Sequence, residues 1–139
     1  MRSLILVFTV LTMCSCNSAD DVYKKAAKAY LKNDAAAFEK CLSSSSLSKT
    51  VSAIELIKQL SPEAKKELQA GSKHKMKDDS ISEYLLFQMN MTGGDNSFED
   101  RFGGKIKTVS VNGTEAEVLN DNGVIVKLIQ ENGEWKIDL

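Results

Sequence analysis

The sequence predicts an α+β domain in which N-terminal helices pack on a four-stranded antiparallel meander. Three observations predict this class. Apolar residues recur at helical spacing in the first half of the chain, apolar and polar residues alternate after Lys105, and Asn-Gly pairs separate the alternating segments. Because the helices precede the strands and do not interleave with them, the helices are expected to form a layer against the sheet.

The first two helices are predicted from apolar spacing. A helix is expected from about Asp21 to Lys32, with lysines on its other faces. Its apolar positions are Val22, Ala26, Ala29 and Tyr30. Asn33 ends it, and Asp34 can cap a second helix. The apolar residues of that second helix are Phe38, Cys41 and Leu42.

The next segment is predicted as a loop followed by two helices. The four serines from Ser43 to Ser46 offer no apolar side chain, which favours a loop. A helix is expected to begin near Ser52, which can form a capping box with Glu55. Its apolar face would contain Ile54, Ile57 and Leu60. Ser61-Pro62 restarts the helix and Gly71 ends it, with Ala64 and Leu68 facing inward.

A further helix is predicted after a hydrophilic run. Ser80 and Glu83 have the spacing of a capping box, and the apolar residues after them predict a helix from Ile81 to about Met91.

Four strands are predicted after Lys105, at 105–111, 114–119, 124–130 and 134–139. Asn-Gly pairs at 112–113, 122–123 and 132–133 favour the positive φ angles of tight turns, so consecutive strands should pair antiparallel. Trp135, Ile137 and Leu139 alternate with polar residues and are expected to face the helices. Glu115 and Glu117 alternate with Ala116 and Val118 and should face water.

The N-terminus has the composition of a secretory signal. Arg2 precedes a short apolar run that ends at Leu11, and two cysteines follow, at positions 14 and 16. The run is shorter than the roughly 20 residues that a permanent membrane helix needs. We therefore divide the chain into a lipoprotein signal peptide at 1–16, a short polar linker at 17–20 and a single domain at 21–139.

The expected lipidation site is Cys16, with Cys14 as the alternative. The segment resembles the bacterial lipobox, which favours a small residue directly before the acylated cysteine and an aliphatic residue three positions before it. Cys16 follows Ser15, whereas Cys14 follows Met13 but has Leu11 at the third position. An ordinary signal peptide with incidental cysteines is the other interpretation. Asn17 follows Cys16 where the retention signal of some diderm bacteria has Asp, so the outer membrane is favoured over the inner one.

Composition and charge exclude several classes of function. The formal net charge of −1 provides no overall basic field for nucleic acid. One histidine and one thiol beyond the leader cannot build a zinc site. Cys41 has apolar neighbours, and a buried, inert thiol is favoured there over a reactive or intermolecular one.

Both ends of the domain resemble the nuclear transport factor 2-like superfamily. At the start, Tyr23, Ala26, Ala29-Tyr30-Leu31, Asn33-Asp34 and Ala37-Phe38 carry the resemblance. At the end, it is carried by Val111-x-Gly113-x-x-Ala116-x-Val118, by Val124-x-Val126-x-Leu128 and by the segment from Glu131 to Asp138. The resemblance is to small bacterial lipoproteins of that superfamily, and it implies a strongly curved, cone-like sheet wrapped around the first helices. The superfamily includes enzymes, ligand binders and lipoproteins of no assigned role, so it implies a fold and not a function.

No catalytic, cofactor-binding or metal-binding set is expected. The only histidine, His74, lies among lysines and is predicted to be in solvent, where it would lack the pocket that a general base needs. Four aromatic residues could line a pocket for a small apolar ligand or simply form the core: Tyr23, Tyr30, Tyr84 and Phe87. The expected function is that of a membrane-tethered, non-enzymatic binding or interaction module in the bacterial cell envelope, with a protein or a small ligand as partner. The alternatives are a carrier of a small apolar ligand and an enzyme of the isomerase or cyclase type found in the superfamily.

Overall fold

A computed structural model describes residues 17–94 and 97–139. Helices precede a four-stranded sheet, which confirms the predicted α+β class. The helices are α1 (Ala19–Leu31), α2 (Ala35–Lys40), α3 (Ser44–Lys58), α4 (Pro62–Ala70), α5 (Ile81–Met89) and α6 (Phe98–Phe102). The strands are β1 (Ile106–Asn112), β2 (Glu115–Asn120), β3 (Ile125–Glu131) and β4 (Glu134–Asp138).

The sheet is the predicted antiparallel meander, with strand order β1-β2-β3-β4. Each predicted strand differs from the observed one by a residue or so at its ends. Glycine has a positive φ angle in all three turns, but asparagine has one only at Asn132, in the two-residue β3–β4 turn. The strand pairing therefore uses the Asn-Gly pairs as predicted, although only the last of them places both residues in the left-handed region.

Two helices begin earlier than the sequence predicts. α1 begins at Ala19, so the last two residues of the predicted linker are helical, and Ala19 is buried. The predicted loop at Ser43–Ser46 is wrong: Ser43 caps α3, and its hydroxyl accepts a hydrogen bond from the Ser46 amide. The predicted start at Ser52 with Glu55 is also wrong, because both residues are exposed within α3. Serine runs are ambiguous because serine caps helices as readily as it forms loops.

The other helix predictions hold in part. Asp34, Ser61 and Ser80 cap α2, α4 and α5, each accepting a hydrogen bond from the third residue of its helix. The capping box at Ser80 is only half formed, because the Glu83 carboxylate bonds elsewhere. α6 is a single turn that the sequence analysis did not predict.

Large side chains fill the space between the helices and the sheet. The Phe38 ring packs edge-on against Phe102, with centroids 5.0 Å apart, and Tyr23 lies 5.9 Å from the same ring. Trp135 is buried as predicted, at 7% exposure, and Glu115 and Glu117 face water as predicted. The fully buried side chains that complete this layer are Val118, Leu128 and Ile137.

The two edges of the sheet differ. Along β4, Ile137 donates a backbone hydrogen bond to Cys41 and accepts one from Ser43, so the connection between α2 and α3 covers this edge. Among the described residues β1 pairs only with β2, and Val109 and Val111 remain 39% and 58% exposed. They are paired with buried Val118 and Ala116 and therefore share the inner face, which the helices leave uncovered at this edge.

Candidate functional site

The four aromatic residues considered for a pocket do not converge on one cavity. Tyr23 and Phe87 are fully buried and belong to the packed interior. Tyr30 and Tyr84 are half-buried at two different surface depressions. Burial is the largest cause of a raised pKa at the hydroxyls of Tyr23, Tyr30 and Tyr84.

A different site, the lysine-rimmed groove, lies between α1, α2 and β4. Its volume is about 640 Å³, within the usual range for small-ligand sites. Its floor is formed by Val22, Ala29, Cys41 and Trp135, which are all largely buried. The lysines that line it are Lys25, Lys28, Lys32, Lys40 and Lys136.

α1 contributes the longest side of the groove. Lys25, Lys28 and Lys32 are spaced i, i+3 and i+7, which places them in one stripe along a helix. Val22 and Ala29 occupy the adjacent stripe, between the lysines and the core. The lysines are exposed, so their ammonium groups remain in water while the groove floor stays apolar.

α2 and β4 form the opposite side. The Lys136 ammonium donates to the Lys40 carbonyl at 2.8 Å and lies 3.6 Å from the Glu134 carboxylate. Burial raises the pKa of the Cys41 thiol, and the positive charges of Lys136 and Lys25 oppose that shift. The thiol is buried and free, as predicted, and its Sγ lies 3.5 Å from the Ala37 carbonyl.

The groove carries excess positive charge. Two carboxylates line it, and both already have partners: Asp34 accepts a hydrogen bond from the Ala37 amide, and Glu134 lies beside the Lys136 ammonium. Within the described ranges, four of the five lysines form no ion pair. These unpaired lysines are Lys25, Lys28, Lys32 and Lys40. The site can therefore attract a negatively charged group without first breaking an ion pair.

His74 is not free in solvent, contrary to the sequence prediction. Its Nε2 lies 2.8 Å from the Glu83 carboxylate, and its side chain is only 23% exposed. An ionised carboxylate only accepts hydrogen bonds, so this bond forms with the His74 tautomer that has a hydrogen on Nε2. Hydrogen bonds from the Lys77 amide and from His74 lower the pKa of Glu83. The nearby Ser72 hydroxyl donates to the Phe87 carbonyl, which ties this loop to α5.

The serine run has a structural role that the sequence analysis missed. The Ser43 hydroxyl lies 2.8 Å from the Asp138 carboxylate and 2.9 Å from the Ser46 hydroxyl. Ser46 in turn accepts the Leu139 amide at 2.7 Å. The signal that could have found this network is the helical spacing of Ser46, Thr50 and Ile54, which are all buried on one face of α3.

Two further sequence predictions concern the anchor and metals. Cys14 and Cys16 lie outside the described residues. In the part of the chain that is described, no group of three or more histidine, cysteine, aspartate or glutamate side chains is placed to hold a metal ion. No helix in that part is both long and apolar enough to span a bilayer.

Comparison of the chain with protein-family profiles, with curated protein sequences and with solved structures gives no significant match. The resemblance to the nuclear transport factor 2-like superfamily therefore stays a prediction.

Proposed function

We propose that this chain is a lipid-anchored, non-enzymatic binding module of the bacterial cell envelope, and that the lysine-rimmed groove binds a negatively charged ligand. The observation that carries the proposal is the set of four lysines without ion-pair partners around an apolar floor. Like charges on one surface repel each other and destabilise the folded protein, so a surface that only contacts water would not need this cluster of lysines.

The groove supports binding better than the two alternatives. An apolar-ligand carrier would need an open interior, whereas Tyr23, Phe38 and Leu128 occupy the space between α1 and the sheet. An enzyme would need a catalytic acid–base pair or an activated nucleophile in the cavity. The two carboxylates of the groove already bond to the Ala37 amide and the Lys136 ammonium, and burial raises the pKa of the Cys41 thiol. His74 and Glu83 are bonded to each other outside the groove.

The anchor is tested by metabolic labelling with a fatty-acid analogue. We expect label on the wild-type chain and on Cys14→Ser, and none on Cys16→Ser. The reverse pattern would assign the lipid to Cys14. Absence of label from the wild-type chain would refute the anchored part of the proposal.

The groove is tested by the emission of Trp135, the only tryptophan of the chain and part of the groove floor. Hexyl phosphate should shift this emission, whereas hexanol, which has the same alkyl chain without the charge, should not. Lys28→Gln with Lys40→Gln should weaken the response by up to about fivefold per lysine. The matched control is Lys66→Gln with Lys127→Gln, two exposed lysines outside the groove. An equal response to both probes would contradict a charge-selective site.

A further inference from the structure

We infer that the negatively charged ligand of the groove is the anionic headgroup layer of the membrane that carries the anchor, so that α1 lies along this membrane with its lysines facing the phosphates. This inference rests on the proposed function and specifies the ligand of the same site. Three observations lead to it: the length of the link, the direction of the lysine stripe and the position of Asn17 in the groove.

The link between anchor and helix is short. α1 begins at Ala19, three residues after Cys16, and three extended residues span at most about 11 Å. Asn17, the residue after Cys16, itself lines the groove. The groove therefore begins next to the point where the acyl chains would enter the bilayer.

The lysine stripe extends along α1 away from that point. With a rise of about 1.5 Å per residue, Lys25 lies about 9 Å and Lys32 about 20 Å along the axis from Ala19. If α1 stood upright on the membrane, Lys32 would lie beyond the screening length of roughly 8–10 Å at physiological salt. Only a helix that lies along the surface brings Lys25, Lys28 and Lys32 to the phosphates together.

The neighbouring acidic residues of α1 do not cancel the stripe. Asp20 forms an ion pair with Lys24 at 3.3 Å, and Lys24 does not line the groove. Asp21 accepts a hydrogen bond from the Ser18 amide at the start of the helix, where the helix dipole favours a negative charge. Lys40, across the groove from α1, adds a further unpaired charge to the same surface.

The test uses the processed, acylated chain in vesicles of phosphatidylcholine, with or without phosphatidylglycerol. A nitroxide on the phosphatidylcholine headgroup quenches Trp135 only when the groove faces the lipid. Because the acyl chains hold the protein on both kinds of vesicle, quenching reports its orientation and not its partitioning. We expect strong quenching only with phosphatidylglycerol, and we expect high salt to reduce it.

The decisive variant replaces Lys25, Lys28 and Lys32 by glutamine. Each lysine near an anionic surface should contribute about fivefold, so the ratio of docked to undocked chain should fall about 100-fold. The control replaces Lys66, Lys75 and Lys127 by glutamine, which removes the same charge from exposed positions outside the groove. Trp135 of this control variant should be quenched as strongly as Trp135 of the wild-type chain.

Each other outcome decides against the inference. Equal quenching in neutral and anionic vesicles, or equal behaviour of the two triple variants, would overturn it. If an acidic peptide such as oligoglutamate shifts Trp135 emission in neutral vesicles and anionic lipid has no effect, the ligand is an acidic protein segment instead. Failure of quenching in a chain whose Cys16 carries the fatty-acid label refutes this inference alone, whereas absence of the label refutes the proposed anchor.

Discussion

Among single residues, Asn120 at the end of β2 connects several segments of the chain, and no motif in the sequence indicates this role. It is fully buried, and its amide nitrogen donates to the carbonyls of Asp100 and Arg101 at 2.7 and 3.0 Å. Its carbonyl oxygen accepts the amides of Asn122 and Val124, which shapes the β2–β3 turn. One side chain thus fixes both this turn and the end of α6, and burial makes each of these bonds costly to lose.

Replacing Asn120 by alanine should lower the free energy of unfolding by about 3 kcal/mol, because four partly buried hydrogen bonds of this buried side chain would be lost at once. Urea denaturation monitored by circular dichroism measures this. Asn122→Ala is the control, since Asn122 is exposed and its side chain makes one long hydrogen bond of 3.3 Å to Asp100. Equal effects of the two substitutions would contradict the role given to Asn120.

Trp135 contributes to stability independently of any ligand. Truncation to alanine should cost roughly 3–5 kcal/mol, as is usual for a large buried aromatic residue. Trp135→Phe should cost much less, because most of the buried apolar area is kept. A wild-type emission maximum typical of fully water-exposed tryptophan would show that the side chain is not buried.

At the scale of elements, the start of α3 shows how polar residues can attach a helix to a sheet. Ser43 caps the helix, bonds to Asp138 and donates its amide to Ile137 across the edge of β4. The Ser44 amide and hydroxyl both bond to the Glu131 carboxylate, at 2.8 and 3.0 Å. A negative charge is favourable at this end of the helix, where the first amides point outward.

The serine run supplies its own control for this arrangement. Ser43→Ala should lower the free energy of unfolding by about 1–2 kcal/mol, since it removes the helix cap and the partner of Asp138. Ser45→Ala should stay within about 0.5 kcal/mol of wild type, because Ser45 is exposed. Thermal denaturation of both variants measures the contrast, which would vanish if the run were a loop.

The contribution of Glu83, in α5, to the free energy of unfolding should decrease at acidic pH. Hydrogen bonds from the Lys77 amide and from His74 hold the pKa of this carboxyl below its unfolded value of 4.5. A carboxyl with a lowered pKa stabilises the folded state above the unfolded value, and this contribution is lost as the pH falls through the folded value. The difference in stability between wild type and Glu83→Gln should therefore be full at pH 6 and should shrink below pH 4.5.

The measurement for Glu83 is urea denaturation of both proteins across this pH range. Glu67→Gln, on the exposed face of α4, is the control and should show no such trend. A difference that is constant from pH 6 to pH 3 would show that Glu83 acts through packing and not through its charge.

At the scale of the whole molecule, stability is distributed unevenly. α1, α2 and the inner face of β2–β4 supply most of the packed interior. α4 contributes no buried residue. The residue after its C-cap, Ser72, forms an isolated antiparallel bridge with Met91, which follows α5. The lysine-rimmed groove is therefore built on the well-packed side of the molecule, which suits a site whose charges must stay in place.

Hydrogen exchange should reveal this difference directly. The amides of α4 should exchange faster than those of α1 and β2, because a helix with no buried face can open without exposing the core. Mass spectrometry of the exchanging protein, resolved by peptide, measures the order. Protection of α4 equal to that of α1 would mean that α4 is held by contacts that its burial does not reveal.

The class of fold, the strand order and the burial of Trp135 could all be predicted from the amino-acid sequence. These follow from local signals: period-two alternation, Asn-Gly turns and helix caps depend on residues close together in the chain. The roles of Ser43, Asn120 and His74 depend on how the elements pack, since their partners lie in other elements. A polar side chain by itself suits a loop, a helix cap or a buried network equally well. The lysine-rimmed groove also depends on tertiary packing. The lysine stripe of α1 is visible in the sequence, but packing α1 beside α2 and β4 is what places Lys40 and Trp135 with it, and that juxtaposition sets the charge on which the proposed function depends.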